Sequence, residues 1–373
     1  MAAAADQATR RDVAWASARQ FAHAAAEPAP VVRLALARAA GLTLAEDLVA
    51  ATPLPAFDTA AMDGFAVAGA SGPWTLTGSA RPGQPWAGER LAAGHAVEIS
   101  TGALVPPGAW AVLPIELAAP DGDAVAGPEL PGGKHIRLTG EDAPAGARLA
   151  PAGIPVGPAL LGLAASCGYD ELPVRRTPAV RAIVTGDELV RHGLPGPGQV
   201  RDAFGPLLPS LVAGLGGLLE GLVHVPDRPR SALATAVEAA SGADVVVVTG
   251  STSVGVTDGL RRLLAERDAR WIVDAVACRP GHPQLLARPQ GGPYVIGLPG
   301  NPFAALVAAY TLLGPLLAGL SGRPLGILPQ APLLTQVPAP AGRTRIVPVV
   351  WDGPGVRALG GDHPAFLNGA ALG

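Results

Sequence analysis

Lysine is almost missing from this chain. Lys134 is the single example among 27 basic side chains, the rest being arginine. Such a bias reads as compositional drift across a genome, so an arginine in place of a lysine says little about altered function. Charge of both signs is scarce, at 15% of residues against about 25% in an ordinary domain. Net charge is −3 and no basic block occurs, so no nucleic acid partner is expected. Two cysteines, Cys167 and Cys278, are too few for a disulfide framework and fit a reducing cytosol; the expected location is cytoplasmic. The Ala-rich start, Met1 to Arg11, lacks the continuous apolar core of a signal peptide. No Gly-x-Gly-x-x-Gly follows a strand-like run, which argues against a dinucleotide-binding Rossmann enzyme. No internal repeat is present.

What the chain does have is apolar residues, at 49% with mean hydropathy +0.33, enough to bury large cores. Its 373 residues exceed what one core usually serves, so two to four domains are expected. The 49 glycines and 40 prolines are spread through apolar segments, which reads as loop-rich folded domains. Phe303 to Leu320 has no charged residue and is long enough to suggest a membrane span. Gly314, Pro315 and Gly319 interrupt it, and it is read as a buried core helix, with no membrane association.

Residues 12–50 carry helical periodicity, in helix segments separated by Glu27-Pro28-Ala29-Pro30, with Val31, Leu34, Leu36 and Leu42 to Leu48 on the later ones. Residues 51–135 change to short apolar runs punctuated by Pro82-Gly83, Pro107-Gly108 and Asp121-Gly122-Asp123, a small β-rich module. Residues 153–176 look helical again. From Pro178 strand and helix alternate. Ala179 to Val184, Leu222 to Val225, Asp244 to Val248, Trp271 to Ala277 and Tyr294 to Gly297 read as strands. Leu207 to Leu222, Ser231 to Ala240 and Leu260 to Arg267 read as helices. Such alternation implies a parallel sheet with helices on both faces. Residues 325–373 are Pro-rich with strand-like pieces at Arg345 to Trp351 and Val356 to Leu359.

Several runs could carry chemistry. Asp58-Thr59-Ala60-Ala61-Met62-Asp63-Gly64 spaces two acids by five positions in a small-residue context unlike an ordinary surface loop. Ser100-Thr101-Gly102-Ala103 is a β-turn by composition. Ile136-Arg137-Leu138-Thr139-Gly140-Glu141-Asp142 offers an arginine for phosphate and an acid for a cation, or simply a solvated turn with one ion pair. Thr185-Gly186-Asp187-Glu188 directly follows a strand, which puts two carboxylates at the carboxyl edge of a parallel sheet; a helix N-cap by Asp187 is the plainer alternative. Val245 to Asp258 runs from strand through a Gly/Ser turn, where Ser253, Gly255 and backbone donors could meet an anion or merely cap a helix. Arg279-Pro280-Gly281-His282 and Gly297-Leu298-Pro299-Gly300-Asn301-Pro302 are rigid turns with polar groups that could face a ligand.

In order and spacing, these runs resemble the signatures of the molybdopterin molybdenumtransferases, the MoeA and gephyrin E-domain family. The first resembles the family's Asp-Asn-Ser-Ala-Met-Asp-Gly-Tyr-Ala-Val. The others resemble its Thr-Gly-Ala turn, its Ile-Arg followed by Gly-Glu-Asp, its Thr-Gly-Asp-Glu, its Gly-Gly-Val-Ser-Val-Gly, its Lys-Pro-Gly-Lys-Pro and its Gly-Leu-Pro-Gly-Asn-Pro. Departures fall at Thr59, Ala60, Ala203, Phe204, Val256, His282 and Ala304, each removing polar atoms or changing charge; Trp110 is a further one, and Asp202 is kept.

The fold the resemblance implies is α/β multidomain. A central three-layer α/β domain with a mostly parallel sheet would span 178–324. A discontinuous helical domain would comprise 1–50 and 136–177, with a β-rich domain inserted at 51–135 and an abbreviated C-terminal β domain at 325–373. The activity implied is insertion of molybdate into adenylylated molybdopterin, which releases AMP and gives molybdenum cofactor. Asp58, Asp142, Glu188 and Asp258 would be catalytic and hold Mg²⁺. Thr101, Arg137, Asp187, Ser253 and Gly255 would hold pterin and phosphate. Arg279, His282, Pro299, Asn301 and Pro302 would hold molybdate. A homodimer and contact with the molybdopterin adenylyltransferase are implied as well. The seven departures keep a second reading open, a non-catalytic molybdopterin- or nucleotide-binding paralogue or scaffold.

Overall fold

The computed structural model describes residues 11–229, 231–250, 259–359, 363 and 367–372. By its contacts the chain divides into two compact units, one formed by the residues up to Val32 together with those from Val174 onward, the other by Arg33–Pro173.

Four valines set the centre of the first unit. Val245–Thr249 is buried at every position. Val245 and Val247 belong to one apolar cluster and Val246 and Val248 to another, as the two-residue period of a strand covered on both faces requires. The sheet runs in the order Arg11–Ala14, Arg270–Arg279, Leu285–Arg288, Tyr294–Leu298, Val245–Thr249, Ala179–Thr185, Leu218–Val225. Its last four strands are mutually parallel, and the Leu285–Arg288 strand is antiparallel to both its neighbours. One cluster gathers the helices Trp15–Ala24, Phe204–Gly214 and the run from Pro302 to Leu320; the other gathers Ser231–Ala239 and Gly259–Glu266. Three layers result, as expected.

The run from Pro302 to Leu320 is long and apolar enough to cross a membrane by length and composition, but 78% of its apolar window is buried in this core. A π-helical segment, Ala309–Leu313, lies inside it. There Thr311 Oγ1 accepts from Trp15 Nε1 at 2.9 Å and donates to Val307 O at 2.6 Å.

Three expectations are corrected. Helical periodicity over 12–50 gives a helix only at Trp15–Ala24 and one turn at Leu36–Ala39; Val31–Ala35, Thr43–Leu44 and Leu48–Val49 are strands. Pro28 and Pro30 stop the helix, and the β-branched Val31 and Val32 favour extension. The helix expected to reach Leu222 ends at Gly214, because Gly216 takes φ +86° and the chain turns into Leu218–Val225. Residues 153–176 are helical only at Pro158–Ser166 and end in the strand Glu171–Arg175.

In the second unit, a six-stranded sheet is ordered Ala119–Asp121, Ala124–Ala126, Trp74–Ala80, His95–Ile99, Gly64–Val67, Ala111–Pro114. Trp74, fully buried, and Leu113 fill one side; Ala66, Val97 and Val112 fill the other. Gly64, in the Met62-Asp63-Gly64 run, takes φ +152°, and a Cβ there would stand 1.9 Å from Leu113 O. Only glycine lets these strands meet.

Candidate active site

In the first unit the four parallel strands end on one edge, at Thr185, Val225, Thr249 and Leu298. The segments that follow are Gly186-Asp187-Glu188, Pro226-Asp227, Gly250 and Pro299 to Pro302, so three of the singled-out motifs share that edge. From Ala179–Thr185 the chain moves outward to Leu218–Val225, then returns to Val245–Thr249 on the other side. Strand order reverses between Ala179–Thr185 and Val245–Thr249, and a crevice at such a reversal is where open α/β sheets hold ligands.

At this edge the backbones of the strand-end segments meet closely. Thr185 Oγ1 donates to Thr249 O at 2.7 Å, fully buried. A Cβ on Gly250 would meet Thr185 O at 2.7 Å, and a Cβ on Gly300 would stand 3.4 Å from the Gly250 Cα. The lack of side chains at these glycines lets the three strand-end segments pack backbone against backbone.

Asp187 and Asp227 bind each other's backbone: Asp227 N donates to Asp187 Oδ1 at 3.1 Å and Asp187 N to Asp227 Oδ2 at 3.4 Å. Glu188 is exposed. The segment beyond it is tied back by Val200 N, which donates to Glu188 O at 2.8 Å, and by Asp202 N, which donates to Val190 O at 3.0 Å. Asp202 is 5% exposed. Its Oδ1 accepts from Phe204 N at 2.8 Å and Gly205 N at 3.2 Å, capping the Phe204–Gly214 helix, and its Oδ2 lies 2.8 Å from His224 Nε2. Burial pushes the Asp202 carboxyl up, but hydrogen bonds from His224, Gly205 and Phe204 outweigh it and hold the group below the usual carboxylate range.

Arg279 is exposed at the end of its strand, with no carboxylate partner among the described residues. His282 Nε2 stands 2.5 Å from Asp12 Oδ1, so the imidazole is engaged by a carboxylate of the first strand. Pro299 is buried, and Asn301, exposed, opens the helix Pro302–Ala308 without a side-chain cap. Ser253, Gly255 and Asp258 lie outside the described residues, as does Val256.

In the second unit, Asp58 Oδ1 accepts from Thr139 N at 2.8 Å and Thr139 Oγ1 at 2.7 Å. Thr59–Ala60 pairs with Ile136–Arg137, and Ala60 also exchanges backbone bonds with Gly102 and Ala103. Asp58, the Thr101 turn and Arg137 are thereby gathered around one two-residue strand. Asp63 Oδ1 fixes the turn by accepting from Thr101 N at 2.7 Å. Glu141 Oε2 accepts from Leu138 N at 2.9 Å, closing the turn that carries the exposed Asp142. Arg137 is exposed and has no carboxylate partner among the described residues.

Asp58 and Asp142 thus belong to one unit and Glu188 to the other. Among the described residues no three His, Cys, Asp or Glu side chains stand close enough to hold a metal ion, so the described part of the expected Mg²⁺ set does not itself form a centre.

Four of the seven departures are buried: Thr59, Ala60, Phe204 and Ala304. Ala60 and Phe204 sit in the apolar clusters, so changes there act on packing. Trp110, partly exposed, donates its Nε1 hydrogen to Leu130 O at 2.7 Å and covers Gly132, a structural use. Thr139 and Asp63 were visible within motifs already marked. His224, Asp227 and Asp12 had no local signal, because their partners lie 22, 40 and 270 residues away.

Fold and site together define a two-unit α/β protein with chemistry-bearing loops on the carboxyl edge of a parallel sheet. Residues 12–168 match the family model of the MoeA N-terminal region (domain I and II), and residues 181–319 match that of a probable molybdopterin binding domain. The chain is 34% identical to molybdopterin molybdenumtransferase 2 of Mycobacterium tuberculosis, covering 86% of this chain and 83% of that one. It is 34% identical to the molybdopterin molybdenumtransferase of Synechococcus elongatus, over 88% and 86%. The crystal structure of a molybdopterin biosynthesis moeA protein from Pyrococcus horikosii superposes with TM-score 0.76 at 26% identity, over 95% of this chain and 92% of that one. The chain belongs to the molybdopterin molybdenumtransferase family, whose members are enzymes.

Proposed function

We propose that this chain inserts molybdate into adenylylated molybdopterin, releasing AMP and giving molybdenum cofactor. The observation that carries the reading is the sheet edge at the strand reversal, where Thr185 to Glu188, Gly250 and Pro299 to Pro302 lie together. Backbone N–H groups at such an edge suit phosphate oxygens. Arg279 supplies a fixed positive charge for an oxyanion, and Asn301 offers both a donor and an acceptor. The acids proposed for hydrolysis of the phosphoanhydride are Asp58 and Asp142 in one unit and Glu188 and Asp258 in the other. Thr101, Arg137, Asp187, Ser253 and Gly255 hold pterin and phosphate, and Arg279, His282, Pro299, Asn301 and Pro302 hold molybdate. In this reading His282 meets the anion as part of a pair with Asp12.

Magnesium belongs to the same reading, as charge neutralisation for the phosphoanhydride. The described residues do not form a centre for it. The division into 1–50 with 136–177, 51–135, 178–324 and 325–373 is also proposed, as are a homodimer, contact with the adenylyltransferase that makes the substrate, and a cytoplasmic location.

Complementation of a strain lacking its own molybdenumtransferase, scored by a molybdoenzyme's activity, tests the reading. Restored activity is expected. Failure by a stably expressed chain would leave a ligand-binding role without turnover. Sedimentation at micromolar concentration tests the dimer, and a clean monomer would remove it.

A further inference from the structure

We propose that Gln284 and Cys278 are positioning residues for the anion held at the Arg279–His282 turn. Buried beneath it, they draw its carbonyls inward and leave the N–H groups of Gly281 and His282 facing the ligand. This inference rests on the reading of that turn as the molybdate-holding loop.

Gln284 is fully buried. Its Nε2 donates to Gly281 O at 2.8 Å and to Cys278 Sγ at 3.4 Å. Cys278, also fully buried, donates from Sγ to Pro280 O at 3.2 Å. At the ends of the turn, Arg279 O accepts from Ile346 N at 2.9 Å and His282 O from Val276 N at 3.1 Å. Every carbonyl of this four-residue turn is therefore held by a donor within the protein.

A trans peptide points its C=O and the following N–H in opposite directions. Drawing Pro280 O and Gly281 O toward the buried pair thus turns Gly281 N–H and His282 N–H away from it. Neither amide donates to a described residue. Gly281 is buried and His282 half-buried beside the exposed Arg279, and two successive N–H groups without a described acceptor suit an anion there.

Stability alone does not account for the amide. Gln284 Oε1 is buried without a partner among the described residues, and an apolar side chain of similar volume would avoid that cost. The other end of the side chain accounts for it: Gly281 O accepts from Gln284 N at 3.3 Å and, more closely, from Gln284 Nε2 at 2.8 Å, and the second donor fixes the direction of the carbonyl. The thiol serves in the same way only while protonated. Burial pushes Cys278 up to about 11, which keeps the S–H in place at neutral pH.

The test is calorimetric titration of the full chain with molybdate, alongside KM for molybdate and kcat for insertion. Gln284→Met removes the amide at similar volume, and is expected to raise Kd and KM about tenfold with kcat nearly retained. Cys278→Ala is expected to raise them about threefold, and Cys278→Ser, which keeps a donor, to stay near wild type. Wild-type affinity in both Gln284→Met and Cys278→Ala would overturn the proposal; if Gln284→Met does not fold, the Cys278 pair decides. Arg279→Ala separates the two levels. If wild type binds molybdate no better than Arg279→Ala, the turn does not hold molybdate, and the reading and this inference fall together. If Arg279→Ala loses binding while Gln284→Met and Cys278→Ala keep it, only this inference falls.

Discussion

His224 Nε2 stands 2.8 Å from Oδ2 of Asp202, whose other oxygen caps the helix that begins at Phe204. One buried carboxylate thus joins the edge strand Leu218–Val225, the helix Phe204–Gly214 and the end of the segment that follows Glu188. Its folded pKa is lowered, so its contribution to stability is fully present above the unfolded value of about 3.9. That contribution is lost as pH falls through the lower folded value. Asp202→Asn should flatten the acid side of the melting-temperature profile relative to wild type. His224→Ala should cost about 1–3 kcal/mol at neutral pH, since it removes a partner from a buried charge. Thermal melts between about pH 3 and pH 7, spanning the reference value, measure both. An unchanged acid limb in Asp202→Asn would mean that other carboxylates control acid unfolding.

Both cysteines should resist alkylation in the folded protein. Each is fully buried, and burial raises both thiols, Cys278 to about 11. The thiolate is the reactive form, so native protein at about pH 8, near the reference thiol pKa, should take up almost no iodoacetamide. Two adducts should appear in denaturant. Mass spectrometry reads the count, and rapid native labelling of Cys278 would show that its turn opens readily.

The parallel core was legible because four consecutive valines admit few other environments than a strand buried on both faces. Chemistry-bearing loops were legible where glycine or proline broke such a run, as at Thr185-Gly186-Asp187-Glu188. Long-range pairing was not legible. The strand Arg11–Ala14 joins Arg270–Arg279 across more than half the chain, and nothing local marks either as a partner of the other. Leu285–Arg288 is short and its antiparallel sense interrupts the alternation that the sequence advertises. The helix expected to reach Leu222 was overrun because leucines continue past Gly216 and Gly217, and backbone conformation, not hydropathy, ends it. The pairs Asp202–His224 and His282–Asp12 depend on that tertiary arrangement and have no signature of their own.

Glu188→Gln should lower kcat for insertion by at least about hundredfold, the range found when a positioned acid–base group is removed. Glu188 is exposed at the sheet edge and packs in no apolar cluster. Its loss should therefore change the melting temperature little. Turnover assays and a melt on the same preparation separate the two effects. Full turnover in the variant would take Glu188 out of the catalytic set.

Gly250→Ala should damage this sheet edge more than a positive-φ glycine in open space predicts. Gly250 takes φ +90°, whereas Gly146 takes φ +82° and a methyl group added there would meet no heavy atom within 4 Å. Both substitutions force alanine into a left-handed backbone, at a cost of about 1 kcal/mol or more. Only at Gly250 would the new methyl also stand 2.7 Å from Thr185 O and 2.8 Å from Thr185 Oγ1, atoms of the buried Thr185–Thr249 link. The neighbour there is largely backbone and cannot swing aside, so a further cost of about 1–3 kcal/mol is expected from overpacking. Gly250→Ala should therefore be the less stable variant in urea titration, and should bind adenylylated molybdopterin more weakly, whereas Gly146→Ala should bind it as wild type does. Equal losses in the two variants would mean that backbone conformation alone, and not the close approach to Thr185, demands glycine at this position.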